Sequence, residues 1–268
     1  MRHVAIDELC AIVFADADGQ QCQERLATAH QTVTEKLANE RQHYISQNGS
    51  TKWSPVKTRM TARLGNKCWY TEAELVGADL TIDHYRPKCD YWWLAFNVRN
   101  FRVACPFANS PKHNAEHGCA GGKGDEFPLL PPGIRGIDEE SIKLEKPVIL
   151  DPCKKEDCDL LAFQADGRPI LHPLYADDPI AKERVETSKI LLNIDHPDFN
   201  SKREQLYHDI ADDVKTYEAL PEDSEQRAVI RNRMKRRLAA NAPFSTAAHY
   251  YLQVHRNLGW VEELLKEV

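Results

Sequence analysis

Thr81-Ile82-Asp83-His84-Tyr85-Arg86-Pro87-Lys88, then Asn100-Phe101-Arg102-Val103-Ala104-Cys105, then Pro106-Phe107-Ala108-Asn109-Ser110-Pro111-Lys112, is the part of the chain whose reading decides its fold. β-Branched and aromatic residues dominate Leu80–Asp83 and Phe101–Cys105, which predicts two short strands. Pro111 marks a turn from which a helix is expected to open. Asp83 and His84, at the end of the first strand, set a carboxylate beside an imidazole. A carboxylate and an amide oxygen suit a hard cation such as Mg²⁺. An imidazole off the metal can take a proton from water. These are the parts needed to cut a phosphodiester: a base for the water and a cation for the charge on the phosphate and leaving oxygen.

Outward from this centre the pattern turns helical. Leu26, His30, Val33 and Leu37 recur at steps of four, three and four, predicting an amphipathic helix over Gly19–Gln47 that Asn48-Gly49 stops. Pro131-Pro132-Gly133 is a breaker. Leu160–Ile170 reads as a hairpin turning at Asp166-Gly167. Ala181–Asn193 reads as a helix. Leu206, Ile210 and Val214 form a further stripe, Pro221 interrupts it, and Ile230, Met234 and Leu238 form another. The expected fold is α+β: a mostly helical chain around a small central ββα unit. Its segments are helical 1–50, the core 51–132, a hairpin plus helix 133–200, and helical 201–268.

The chain has 268 residues, enough for one or two domains, with 42% hydrophobic and 28% charged residues. Its formal charge of −6 excludes a global basic field for grasping nucleic acid. Charge is uneven, however. Lys52, Lys57, Arg59, Arg63, Lys67, Arg86, Lys88, Arg99, Arg102 and Lys112 outnumber the acids between Thr51 and Lys112, an island suited to a polyanion or to solvent. The run Arg227–Arg237 reads as the solvated face of a helix, or as a surface for phosphates or a partner. The early apolar run Ala11–Ala15 is far short of a membrane span or a secretory leader, so a soluble, cytoplasmic chain without membrane contact is expected. Its eight cysteines would then be reduced.

The order Asp-His, Asn, Asn resembles the HNH, or ββα-metal, nuclease superfamily. More narrowly, Lys67-Cys68-Trp69-Tyr70, Asp83-His84-Tyr85-Arg86-Pro87-Lys88, Trp93-Leu94-Ala95-Phe96 and Leu150-Asp151-Pro152 resemble the PtuB type, the HNH proteins of Septu and retron-associated antiphage systems. The resemblance implies a metal-dependent endonuclease acting on DNA or RNA. It implies His84 as general base, Asp83 and Asn109 as ligands of Mg²⁺ (or Mn²⁺), and Asn100 as the residue that orients the loop by the base. Arg86, Lys88 and Lys112 would lie near backbone phosphates. Implied partners are a PtuA-type ATPase and a retron reverse transcriptase with its RNA–DNA product. Many HNH proteins carry two Cys-x-x-Cys pairs around a structural zinc. Here Thr71 and Ala108 stand at the second position of each pair, so no zinc is expected, and packing by the tryptophans is expected in its place. Two alternatives belong to other classes: a non-catalytic HNH-like binding module, and a thiol enzyme using Cys105 or Cys119.

Overall fold

The computed structural model describes residues 1–75, 77 and 79–267. Three helices come first: α1 (Ile6–Val13), α2 (Ala17–Glu35) and α3 (Ala38–Leu64). The Asp16 carboxylate caps α2 by accepting the Gly19 N–H at 2.7 Å. The single helix expected over Gly19–Gln47 is thus two. Lys36 and Leu37 take extended backbone between them, and the reversal brings the Leu26–Val33 stripe of α2 and the Ile45, Val56 and Met60 stripe of α3 into one core. Local periodicity could not foresee this, because the gain lies in the pairing of the two stripes. Nor does Asn48-Gly49 stop α3. A Cβ on Gly49 would lie 2.0 Å from Trp53 Cη2, so the bare glycine seats the indole one turn on. That packing offsets the roughly 1 kcal/mol cost of a mid-helix glycine.

The centre follows as β1 (Thr81–His84) and β2 (Phe101–Ala104), antiparallel, with Asp83 opposite Arg102 and His84 opposite Phe101. Next comes α4 (Pro106–Asn109), a single turn. The helix expected beyond Pro111 is absent: β3 (Lys112–Asn114) pairs with β4 (Cys119–Gly121) instead. The remainder is α5 (Lys155–Cys158), the hairpin β5 (Leu161–Phe163) and β6 (Pro169–Leu171), then α6 (Pro179–Leu191), α7 (Pro197–Ala219), α8 (Glu225–Leu238), α9 (Ser245–Gln253) and α10 (Gly259–Lys266). The β5–β6 turn carries Gly167 at φ +80°, as Asp166-Gly167 predicts. The architecture is α+β, with helices dominating three small antiparallel pairs among the described residues. No helix among the described residues is long and apolar enough to cross a membrane.

One apolar cluster draws on the whole length, from Leu9 and Val33 through Trp69, Phe101 and Val103 to Val185, Ile210, Met234 and Leu264. A smaller one joins Tyr85, Tyr91, Leu94, Phe127 and Ile149 beneath the loop after β1. Each fully buried aliphatic or aromatic side chain is worth about 1.5–3 kcal/mol. One buried ion pair ties a later segment to the centre, and a second joins α5 to α6. Arg102 grips Asp151 through two bonds of 2.7 and 2.8 Å, and Arg184 grips Asp157 likewise at 2.7 Å. The basic run on α8 is partly paired with acids, while Arg236 stays exposed. Arg233 and Arg237 pair with Asp213 of α7, and Arg231 and Lys235 pair with Glu267 just beyond α10.

Candidate active site

His84 ends β1 with 5% of its surface exposed, held edge-on between Trp53 of α3 (ring centroids 4.8 Å apart) and Phe101 of β2 (5.2 Å). Its Nε2 lies 2.9 Å from the Ala95 carbonyl oxygen. A carbonyl can only accept, so Nε2 carries the hydrogen and Nδ1 is the basic nitrogen. Among the described residues, the buried side-chain nitrogens without a partner belong to Trp69 and Trp93. His84 Nδ1 is not one of them and bonds no group among the described residues, and His84 lines the neighbouring cleft. Burial is the main reason the His84 pKa falls to about 4, reinforced by Lys88 and opposed by the Ala95 bond. The ring is therefore neutral near pH 7 and able to accept a proton.

The cleft beside it is polar, about 220 Å³, and lined by Ile82, Asp83, His84, Pro87, Lys88, Asn109, Gly124 and Asp125. The structure thus brings Asp83, His84, Asn109 and Lys88 to one opening. Asn109 is the last residue of one-turn α4, not the first of a longer helix. It donates its amide nitrogen to Thr81 Oγ1 at 3.1 Å, and its amide oxygen has no partner among the described residues. Asp83 is 3% exposed and accepts two bonds: from the Tyr70 hydroxyl at 2.6 Å on Oδ2, and from Lys123 Nζ at 3.0 Å on Oδ1. Burial and the neighbouring Asp83 push the Tyr70 phenol well above its ordinary pKa, which keeps it a donor. Asp83, Asn109 and Asp125 supply oxygen donors, the chemistry a hard cation prefers, and each carboxylate oxygen retains a second lone pair. The donor set fits Mg²⁺ or Mn²⁺, with Lys123 as a rival on Asp83. No group of three or more His, Cys, Asp or Glu ligands is assembled among the described residues.

Asn100 acts on the backbone rather than in the cleft. Its side-chain oxygen accepts the Arg86 N–H and its nitrogen donates to the Arg86 carbonyl, both at 2.9 Å, while its own carbonyl accepts the Tyr85 N–H. It clamps the peptide units that follow His84. Arg86 is turned to another partner: its guanidinium bonds the buried Glu145 at 2.7 Å, and Glu145 also accepts from Tyr91. Lys112 is exposed on β3 and does not line the cleft. Much of the basic island is consumed in the same way. Arg59 pairs with Asp16, Lys67 with Glu72, Arg86 with Glu145, Arg99 with Asp7 and Arg102 with Asp151. Four of those acids lie outside the island, so a local charge count could not see them.

The two half-pairs of cysteine do meet. Cys68 and Cys105 are buried side by side, with Thr71 Oγ1 3.9 Å from Cys105 Sγ. The backbone N–H groups of Thr71 and Ala108 face the Cys68 and Cys105 sulfurs. The neighbouring Cys68, followed by burial, pushes the Cys105 thiol up, whereas Cys68, which burial alone would raise, is drawn below its ordinary value by Cys105 and Thr71. Cys105 is therefore no exposed nucleophile. Trp69 is buried next to this pair, and Trp53 packs on His84 itself.

Sequence reasoning missed Lys123, Tyr70, Trp53 and Asp125. Gly121-Gly122-Lys123-Gly124 did hold a signal, since clustered glycines mark close backbone approach. A Cβ on Gly122, at φ +109°, would lie 2.0 Å from the Ser110 carbonyl oxygen. No family model matches the chain, and no curated protein matches it.

Proposed function

We propose that the chain is an HNH-type endonuclease that hydrolyses phosphodiester bonds of DNA or RNA. The observation that carries this reading is His84. Its Nε2–H is spent on Ala95, which leaves Nδ1 as the basic nitrogen, and the residue lines a polar cleft together with Asp83 and Asn109. In the proposed step a water oxygen attacks phosphorus, its proton passes to His84 Nδ1, and the bond to the leaving oxygen breaks. Asp83 and Asn109 would hold one divalent cation, Mg²⁺ or Mn²⁺, which when bound neutralises charge on the phosphate and leaving oxygen. Lys88 stands at the cleft to meet the backbone phosphate. Asn100 positions the loop and does not touch the reacting atoms.

The narrower assignment is to the PtuB type, as the effector of an antiphage complex with a PtuA-type ATPase and, in retron systems, a reverse transcriptase with its RNA–DNA product. Support comes from contacts between the resembling phrases, Tyr70 on Asp83 and Ala95 on His84, and from Asp151 of a further phrase, which pairs with Arg102 of β2. The test is cleavage of plasmid DNA and tRNA by the chain assembled with such an ATPase. His84→Ala should abolish it, and a rate left intact by that change refutes the mechanism. One observation favours a non-catalytic binding module instead: Asp83 already has an ammonium neutralising it. That module would bind nucleic acid with no Mn²⁺ uptake that depends on Asp83.

A further inference from the structure

Lys123 is fully buried, and all three acceptors around its ammonium belong to the cleft floor: Asp83 Oδ1 at 3.0 Å, the His84 carbonyl at 2.7 Å and the Gly124 carbonyl at 3.3 Å. An ammonium has three hydrogens to donate, so it is saturated there. The backbone delivers it deliberately. The Lys123 N–H bonds the Ala108 carbonyl at 2.8 Å, and the Gly124 N–H bonds the Asn109 carbonyl at 3.3 Å, which holds this segment alongside α4. The same carboxylate that would ligate a cation is thus already held by a cation belonging to the chain.

Resting on the reading of the cleft as a divalent-cation site, we propose that Lys123 is an internal competitor for Asp83, and that its ammonium sets how tightly the protein takes metal. A divalent ion approaching Asp83 meets a positive charge within a few ångströms, so the free chain loads weakly. Whatever draws the ammonium aside raises metal affinity. A nucleic-acid phosphate entering the cleft offers such an alternative acceptor, so substrate and metal bind with positive coupling, each tightening the other. Lys123 is a positioning residue here, since it is too buried to touch substrate before it moves.

The experiment is Mn²⁺ titration of the full chain by calorimetry and by the electron paramagnetic resonance signal of free Mn²⁺. It compares wild type, Lys123→Met and Asp83→Asn, with folding checked by circular dichroism. Lys123→Met should bind Mn²⁺ about tenfold tighter or more than wild type; a merely structural lysine would weaken binding when removed. Equal affinity in those two proteins, lost in Asp83→Asn, overturns the role of Lys123 and leaves the cation site standing. No Mn²⁺ uptake by folded Lys123→Met overturns the cation site and this proposal with it. Should Lys123→Met fail to fold, amine labelling of wild type decides. Lys123 should label faster with saturating Mn²⁺ than without it, and equal labelling refutes competition.

Discussion

Burial of His84 makes a prediction about stability that is independent of any nuclease assay. In the unfolded chain the imidazole has its ordinary pKa of 6.5; in the fold, desolvation between Trp53 and Phe101 is the main cause that takes it down to about 4. Between those values the unfolded state holds a proton that the native state refuses. Stability is therefore complete above about pH 6.5 and is lost as pH falls toward 4. At about 1.36 kcal/mol per pH unit the full effect is about 3 kcal/mol, of which about 2.5 kcal/mol has developed by pH 4.5. The ring is only 5% exposed, so solvent screening removes little of it. The assay is urea unfolding followed by tryptophan fluorescence at pH 7.5 and 4.5, with EDTA present, for wild type and His84→Gln. The glutamine cannot titrate, yet its amide can still donate to the Ala95 carbonyl. Carboxylates such as Asp151, held below their ordinary range by Arg102 against the opposing effect of burial, titrate in both proteins and cancel in the difference. Wild type should lose about 2.5 kcal/mol more than the variant. Parallel losses would refute the claim that this ring is buried and neutral.

Three further outcomes follow from the same contacts. Asn100→Ala removes both bonds to the Arg86 peptide and should lower kcat with little change in KM, at about 1–3 kcal/mol of stability; an unchanged kcat would mean the loop holds itself. Arg102→Met strands Asp151 and should cost about 3–5 kcal/mol in urea unfolding, whereas a loss below about 1 kcal/mol would mean water reaches the carboxylate. Thr71→Cys combined with Ala108→Cys should complete a four-cysteine site, retain zinc through dialysis and raise Tm, since Thr71 Oγ1 lies 3.9 Å from Cys105 Sγ and the Ala108 N–H faces the same sulfur. Absence of zinc from the folded double variant would show that the half-pairs are misaligned.

Legibility of the site divided along physical lines. The strands around Asp83 and Phe101 were readable because β-branched and aromatic residues carry a local preference, and the stripes of α7 and α8 because helical period repeats within a few turns. The Lys36–Leu37 reversal was not readable, since two separate stripes had to meet before breaking the helix was favourable. The turn at Asn109 was misread in the same way: Pro111 does not start a helix because β3 finds β4 as a partner. Arg86 and Lys112 looked like phosphate ligands by charge and nearness to His84, but Glu145, distant in sequence, takes the first, and the β3 strand carries the second outside the cleft.

The sequence by itself determined which chemical groups are available and which short elements present them: the paired Asp83 and His84, the helical stripes and the turn at Gly167. The tertiary structure decided their state. It selected the histidine nitrogen that is free, by setting Ala95 against the other one, and it brought Lys123 onto Asp83. It also matched much of the basic island with acids from elsewhere in the chain. The reason is that protonation, pairing and burial depend on distances between residues far apart along the chain, and only folding fixes those distances.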